Sequence, residues 1–139
     1  AILSARKVVL YESPGDYMAA ATCGIPYGLI LLGLHVNSAL LGFLISANLD
    51  EVIISTNTDT KRVNKVTGEI TYPGQDAAEK ARAKLALYLG EHKVRIRAPK
   101  LSNDWSEGHQ KGTGELALFK AELEGAAAPE SETPFTLSL

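Results

Sequence analysis

"VVLYESPGDYM", residues 8–18, is the stretch on which the fold turns. With Lys7 before it, the run to Tyr11 is apolar, rich in β-formers and short, so Lys7–Tyr11 reads as a central strand. It finishes on Glu12, and Pro14-Gly15 predicts a sharp turn that returns Asp16 toward that glutamate. Asp16 to Thr22 then reads as a short helix, stopped near Gly24 and Pro26. A buried strand that ends on two carboxylates raises the question of what balances their charge.

The same alternation continues along the chain. Leu29–Leu32 is a second strand candidate, and Asn37 and Ser38 are good N-caps for a helix running to about Ala47. Val52–Ser55 is a third strand, ending at Thr56-Asn57. The polar stretch from Thr58 to Gln75 predicts an elaborated loop or a small hairpin around "VTGEITY". "DAAEKARAKLALYL", from Asp76 to Leu89, is full of strong helix formers and is closed by Gly90. Val94–Ala98 is a fourth strand, Lys100–Gly114 a polar loop, and Glu115–Glu124 a last helix. Strands and helices in alternation predict an α/β domain, a four-stranded, mostly parallel sheet with helices on both faces. Residues 1–124 form that domain, and 125–139 read as a flexible tail or linker.

Bulk composition narrows the function classes. The chain has 139 residues, enough for one domain with its own core, and its 45% apolar and 22% charged content is globular. The apolar segment from Ile25 to Ala47 is broken by Gly28, Gly33, His35, Asn37, Ser38 and Gly42, which argues against a membrane span. Cys23 is the single cysteine, so no internal disulfide or cysteine zinc site is expected, and a cytoplasmic setting follows as the default. A net charge of −2 gives no global signature for nucleic acid, so any phosphate backbone must be met by local charge. The chain begins with alanine, with no signal peptide, and is expected to be a segment of a longer polypeptide.

In open parallel sheets, ligands bind beyond the carboxyl ends of the strands. The acidic residues fall there. Glu12 and Asp16 follow the first strand, Asn57 and Asp59 the third, and Asp104 and Glu107 the fourth. Each alone has an ordinary reading, Asp16 as a helix cap and Asp59 and Asp104 as loop acids. Three loops delivering carboxylates to one edge call for a cation, and hard oxygen donors suit Mg²⁺ or Mn²⁺.

With these residues assembled, the chain resembles the Toprim domain, a Rossmann-like fold shared by bacterial-type replicative primases, type IA and type II topoisomerases, and some nucleases and recombination proteins. "YESPGD" is similar to the family's glutamate motif, with Glu12 in the glutamate place and Asp16 four residues on, as in the primase branch. "ISTNTDT" resembles its Asp-x-Asp motif, with Asp59 second and Asn57 standing where an aspartate is usual. "KLSNDWSE" looks like the primases' later acidic motif, with Asp104 in its first place and Ser106 where a second aspartate is common. The helix "QDAAEKARAKL" and the strand "HKVRIRAP" also follow the order of phage and plasmid primases.

What the resemblance implies is metal-dependent synthesis of RNA primers on single-stranded DNA from nucleoside triphosphates, with a replicative helicase as a further partner and no membrane. Asp16, Asp59 and Asp104 would hold the metal, with Asn57 as a neutral ligand. Glu12 would either complete that shell or act as general base, and both roles stay open. Lys61, Arg62 and Lys65, just after Asp59, are candidates to meet phosphates, as are Arg95 and Arg97, which alternate onto one face of the fourth strand. The plainer readings are a solvated charged loop for the lysines and Arg62, and ion pairs to a covering helix for the two arginines. Trp105 either stacks on a base or pins its loop. Two other functions are compatible with the same motifs: a metal-dependent nuclease or topoisomerase module, and a non-catalytic Toprim-like scaffold that binds DNA.

Overall fold

The computed structural model describes residues 1–31, 35–57, 62–71 and 73–125. Asp59, Lys61 and residues 126–139 of the expected tail lie outside them, as does Leu32 at the end of the second strand candidate. Four strands form one all-parallel sheet: β1 (Lys7–Tyr11), β2 (Gly28–Ile30), β3 (Glu51–Ser55) and β6 (Val94–Ile96), in the order β2-β1-β3-β6. β4 (Arg62–Val63) and β5 (Ile70–Thr71) make the small antiparallel hairpin expected around "VTGEITY". Its turn is closed by the Asn64 side chain, whose Oδ1 accepts from the amides of Val66 and Thr67 at 2.8 and 3.0 Å. The helices are α1 (Ile2–Ala5), α2 (Pro14–Thr22), α3 (Ser38–Ser46), α4 (Pro73–Leu89), α5 (Trp105–Lys111) and α6 (Glu115–Leu123), with a short 3₁₀ turn at Glu91–Lys93.

Side-chain alternation splits the central strands between two cores. Val8, Leu10, Val52, Ile54 and Val94 pack with Leu44 of α3 and with Ala78, Ala81 and Leu85 of α4. Val9, Tyr11 and Ile53 point the other way, onto Ala19 and Ala20 of α2, Trp105 of α5, and Leu116, Phe119 and Leu123 of α6. Both faces of the sheet are therefore covered, which is why β1 and β3 read as unbroken apolar runs. Each fully buried Val, Leu or Ile contributes about 1.5–3 kcal/mol, so these two strands anchor the domain.

Two local expectations are corrected. Pro14-Gly15 is not a turn: Ser13 is an N-cap in extended backbone, Pro14 opens α2, and the Asp16 amide donates to Ser13 Oγ at 3.3 Å. Proline suits the first helical position because its missing N–H would have no partner there. The expected loop Lys100–Gly114 contains α5, capped by Asp104, whose Oδ1 accepts from the Glu107 amide at 2.7 Å.

Gly28 shows how tightly the β1–β2 edge is built. A Cβ there would come within 2.7 Å of both the Tyr11 and Tyr17 rings, which already meet edge to face at 6.2 Å between centroids. Gly28→Ala is expected to destabilise the domain by about 2 kcal/mol through overpacking, read as a lower urea midpoint with an unchanged slope.

Candidate active site

Three segments meet at the carboxyl edge of the sheet. β1 delivers Glu12, whose Oε1 accepts from the Asn57 amide at 3.1 Å, so the segments after β1 and β3 are tied directly together. Helix α2 brings Asp16 to the third segment: its Oδ1 accepts from the Ser106 amide, in the first turn of α5, at 3.0 Å. Asp104 begins that same turn as the cap of α5. Glu12 and Asn57 thus join the ends of β1 and β3, and Asp16 reaches the segment that carries Asp104.

The electrostatics of Asp16 are unusual for a carboxylate beside a helix start. Its side chain is 1% exposed, and its Oδ2 is buried without a hydrogen-bond partner among the described residues. Burial pushes the carboxyl above its ordinary value; the Ser106 amide opposes this, while the negative charges of Asp104 and Glu12 add to it. Asn57 Oδ1 is also buried, with no hydrogen-bond partner among the described residues. Orphaned buried oxygens are rare in proteins, and strain, a catalytic role, or a water or ion accounts for them. These hard oxygen donors match Mg²⁺ or Mn²⁺ in chemistry. Among the described residues no three His, Cys, Asp or Glu side chains converge closely enough to hold a metal, and Asp59 lies outside that set. A cleft of about 760 Å³ opens beside the edge, lined by Thr56, Asn57, Gln75, Asp76, Ala98 and Lys100 among others, which is within the usual range for a nucleotide-sized ligand.

Both candidate arginines form ion pairs: Arg95 of β6 with Glu51 of β3, and Arg97, just past the end of β6, with acids of α6. Arg95 Nε donates to Glu51 Oε2 at 2.7 Å, at the opposite end of β3 from the acids. Arg97 lies inside a network: Nε and Nη2 meet both oxygens of Glu122 at 2.9 and 3.0 Å, and Nη1 reaches Glu115 Oε2 at 2.9 Å. Its guanidinium carbon sits 5.6 Å from the ring centroids of both Trp105 and Phe119, which stack on each other. Trp105 is buried and donates through Nε1 to Ser55 Oγ at 2.6 Å, so it pins its loop to β3. Lys65 is exposed in the hairpin turn, and of Arg62 only the backbone, in β4, is described.

Glu115 was not singled out from the sequence. An acid in the first turn of a helix ordinarily serves only the helix dipole. Here it is 3% exposed, and its carboxylate accepts from the Lys100 amide at 2.8 Å and the Leu101 amide at 2.8 Å as well as from Arg97. Burial by itself would raise this carboxyl, but the Leu101 amide, Arg97 and the Lys100 amide outweigh it and hold it below the ordinary value.

Comparison with known proteins agrees with this architecture. No family model matches the chain, and no curated protein sequence matches it. Among solved structures, the RNA polymerase domain of Mycobacterium tuberculosis primase DnaG superposes with a TM-score of 0.62 at 20% identity, covering 94% of this chain and 42% of that one. A fragment of Aquifex aeolicus primase with zinc-binding and RNA polymerase domains gives 0.59 at 18% identity, covering 88% of this chain and 26% of that one. The chain spans less than half the length of either. The chain shares the α/β fold of these primase domains. Among the described residues no helix is long and apolar enough to cross a membrane.

Proposed function

We propose that this domain is the catalytic Toprim domain of a DNA primase, extending RNA primers on single-stranded DNA. The observation that carries the reading is the acidic edge itself: Glu12, Asp16, Asn57 and Asp104 from three segments, two of them with a buried oxygen that has no partner among the described residues. It sits on a fold shared with bacterial primase domains. Asp16, Asp104 and Asn57, joined by Asp59, would hold Mg²⁺ or Mn²⁺, which supplies charge neutralisation at the reacting phosphate.

The chain's own groups have separate tasks. Asn57 brings an oxygen without a charge, which lessens repulsion at an edge already crowded with carboxylates. Glu12 holds the Asn57 amide through Oε1, and its other oxygen remains to accept a proton from a primer 3′-hydroxyl. Lys61, Arg62 and Lys65, which follow β3 in the sequence, would meet template or triphosphate. Specificity for single-stranded DNA and engagement of a replicative helicase would rest on the longer protein.

The test is ribonucleotide incorporation on single-stranded DNA by the full-length gene product. Wild type is expected to make primers with Mg²⁺ or Mn²⁺, and Glu12→Gln to slow the reaction at least about tenfold. Equal rates would sink the assignment. Nicking of plasmid without added nucleotides would instead favour the nuclease reading. Absence of any divalent-ion binding would favour a non-catalytic scaffold, to which Asn57 in place of an acid also inclines.

A further inference from the structure

We infer that Glu115 is a positioning residue for the acidic edge: it fixes the course of the segment 97–104 and thereby sets where the start of α5 meets Asp16. The inference rests on the proposed metal-dependent role but is argued from geometry of its own. The segment leaving β6 must turn back across the sheet edge to reach Asp104. Near its middle, the amides of Lys100 and Leu101 both donate to the one Glu115 carboxylate.

Glu115 is itself clamped. Arg97 donates to it through Nη1 and, with the same nitrogen, to the Ala98 carbonyl at 2.7 Å, so the guanidinium binds the segment's beginning and its anchor together. Beyond Leu101 the segment is held by further local bonds. Ser102 Oγ donates to the Asp104 carbonyl at 2.7 Å, and the Asn103 amide donates to Glu107 Oε1 at 2.8 Å. The next contact is the Ser106 amide on Asp16 Oδ1. A carboxylate at the first residue of α6 is thus linked to the buried Asp16 by hydrogen bonds spaced along residues 100–106 and by the backbone between them.

Glu115→Gln separates positioning from simple support. It keeps the shape but only one acceptor oxygen: with that oxygen toward Arg97, the amide nitrogen faces the Leu101 N–H and takes away one of the two Lys100 contacts. Amide hydrogen exchange is read by NMR on the whole chain. Lys100 and Leu101 are expected to lose protection, and the Ser106 amide to exchange about tenfold faster. Gly108, whose amide donates to the Asp104 carbonyl within α5, is expected to stay protected, showing that the helix persists. Loss at Lys100 and Leu101 with Ser106 unchanged overturns the inference.

If Glu115→Gln does not fold, Glu115→Asp is read by the same criterion. If neither folds, the residue serves global stability and the inference fails. Mn²⁺ alone, followed by electron paramagnetic resonance, gives the second readout. Where wild type takes up the ion, folded Glu115→Gln is expected to bind about tenfold more weakly, and equal affinity overturns the inference. A wild type that takes up no Mn²⁺ refutes the metal site, and the exchange comparison then decides the role of Glu115 by itself.

Discussion

Asp16→Asn is expected to make the domain more stable by about 1 kcal/mol at pH 7, while lowering primer synthesis by the full-length protein about a hundredfold. The two effects have one origin. In the wild type a buried carboxylate carries an oxygen without a partner among the described residues and faces the charges of Asp104 and Glu12. Asparagine keeps the acceptor for the Ser106 amide, held at 3.0 Å, and removes the charge. An orphaned neutral amide nitrogen takes the place of Oδ2, at a smaller desolvation cost than a charged oxygen, so the net change is favourable. Because folding raises the Asp16 pKa above its ordinary 3.8, the folded state prefers the protonated form. The penalty is absent below that value and complete once the pH exceeds the folded one.

The stability difference between variant and wild type should therefore shrink as the pH falls toward 3.8, in denaturation curves recorded across that range. Mg²⁺ is expected to raise the wild-type melting temperature and to leave the variant nearly unchanged, since only a ligand that binds the folded state stabilises it. A variant less stable than wild type at pH 7 would mean that Asp16 is not strained. A stability gain with undiminished synthesis would separate the strain from the chemistry.

What the sequence disclosed follows from how local each signal is. β1 and β3 were legible because both of their faces are buried, which leaves an apolar run with polar residues only at its ends. The contact between Glu12 and the Asn57 amide was approachable for the same reason: once the strand ends are known, so are the residues that follow them. α5 was not, because "WSEGHQK" is only seven residues long and mostly polar, too short to hold a helix by propensity. Its order comes from the burial of Trp105, from the Asp104 cap and from Asp16, which lies 90 positions earlier in the chain. Arg97 was ambiguous because alternation gives its face but not its partners, which stand 18 and 25 residues further on. Glu115 was invisible because its work is done by accepting backbone amides, and amides leave no trace in a sequence pattern.

Arg97→Met tests how much of the domain depends on that network and is expected to cost about 3 kcal/mol, or roughly 10 °C in melting temperature. Methionine fills most of the space over Trp105 and Phe119, so the loss is electrostatic rather than a cavity. It leaves Glu115 buried with its charge uncompensated and releases Glu122 to solvent. Arg97→Lys keeps the charge but lacks the planar fork that grips Glu122 through two nitrogens and Glu115 through the third contact, and about half the loss should remain. Arg97, through its hydrogen bonds, holds the Glu122 carboxyl below its ordinary 4.5. Glu115 is likewise lowered, so the stability these acids contribute is present above 4.5 and is lost as the pH falls through their folded values. Arg97→Met should accordingly lose less stability than wild type between pH 5 and pH 3. Adding Glu115→Gln to Arg97→Met is expected to recover part of the loss, because removing both members of a buried pair is cheaper than stranding one. A single variant as stable as wild type, or a double variant worse than the sum of its parts, would show that the network is not what holds this edge of the fold.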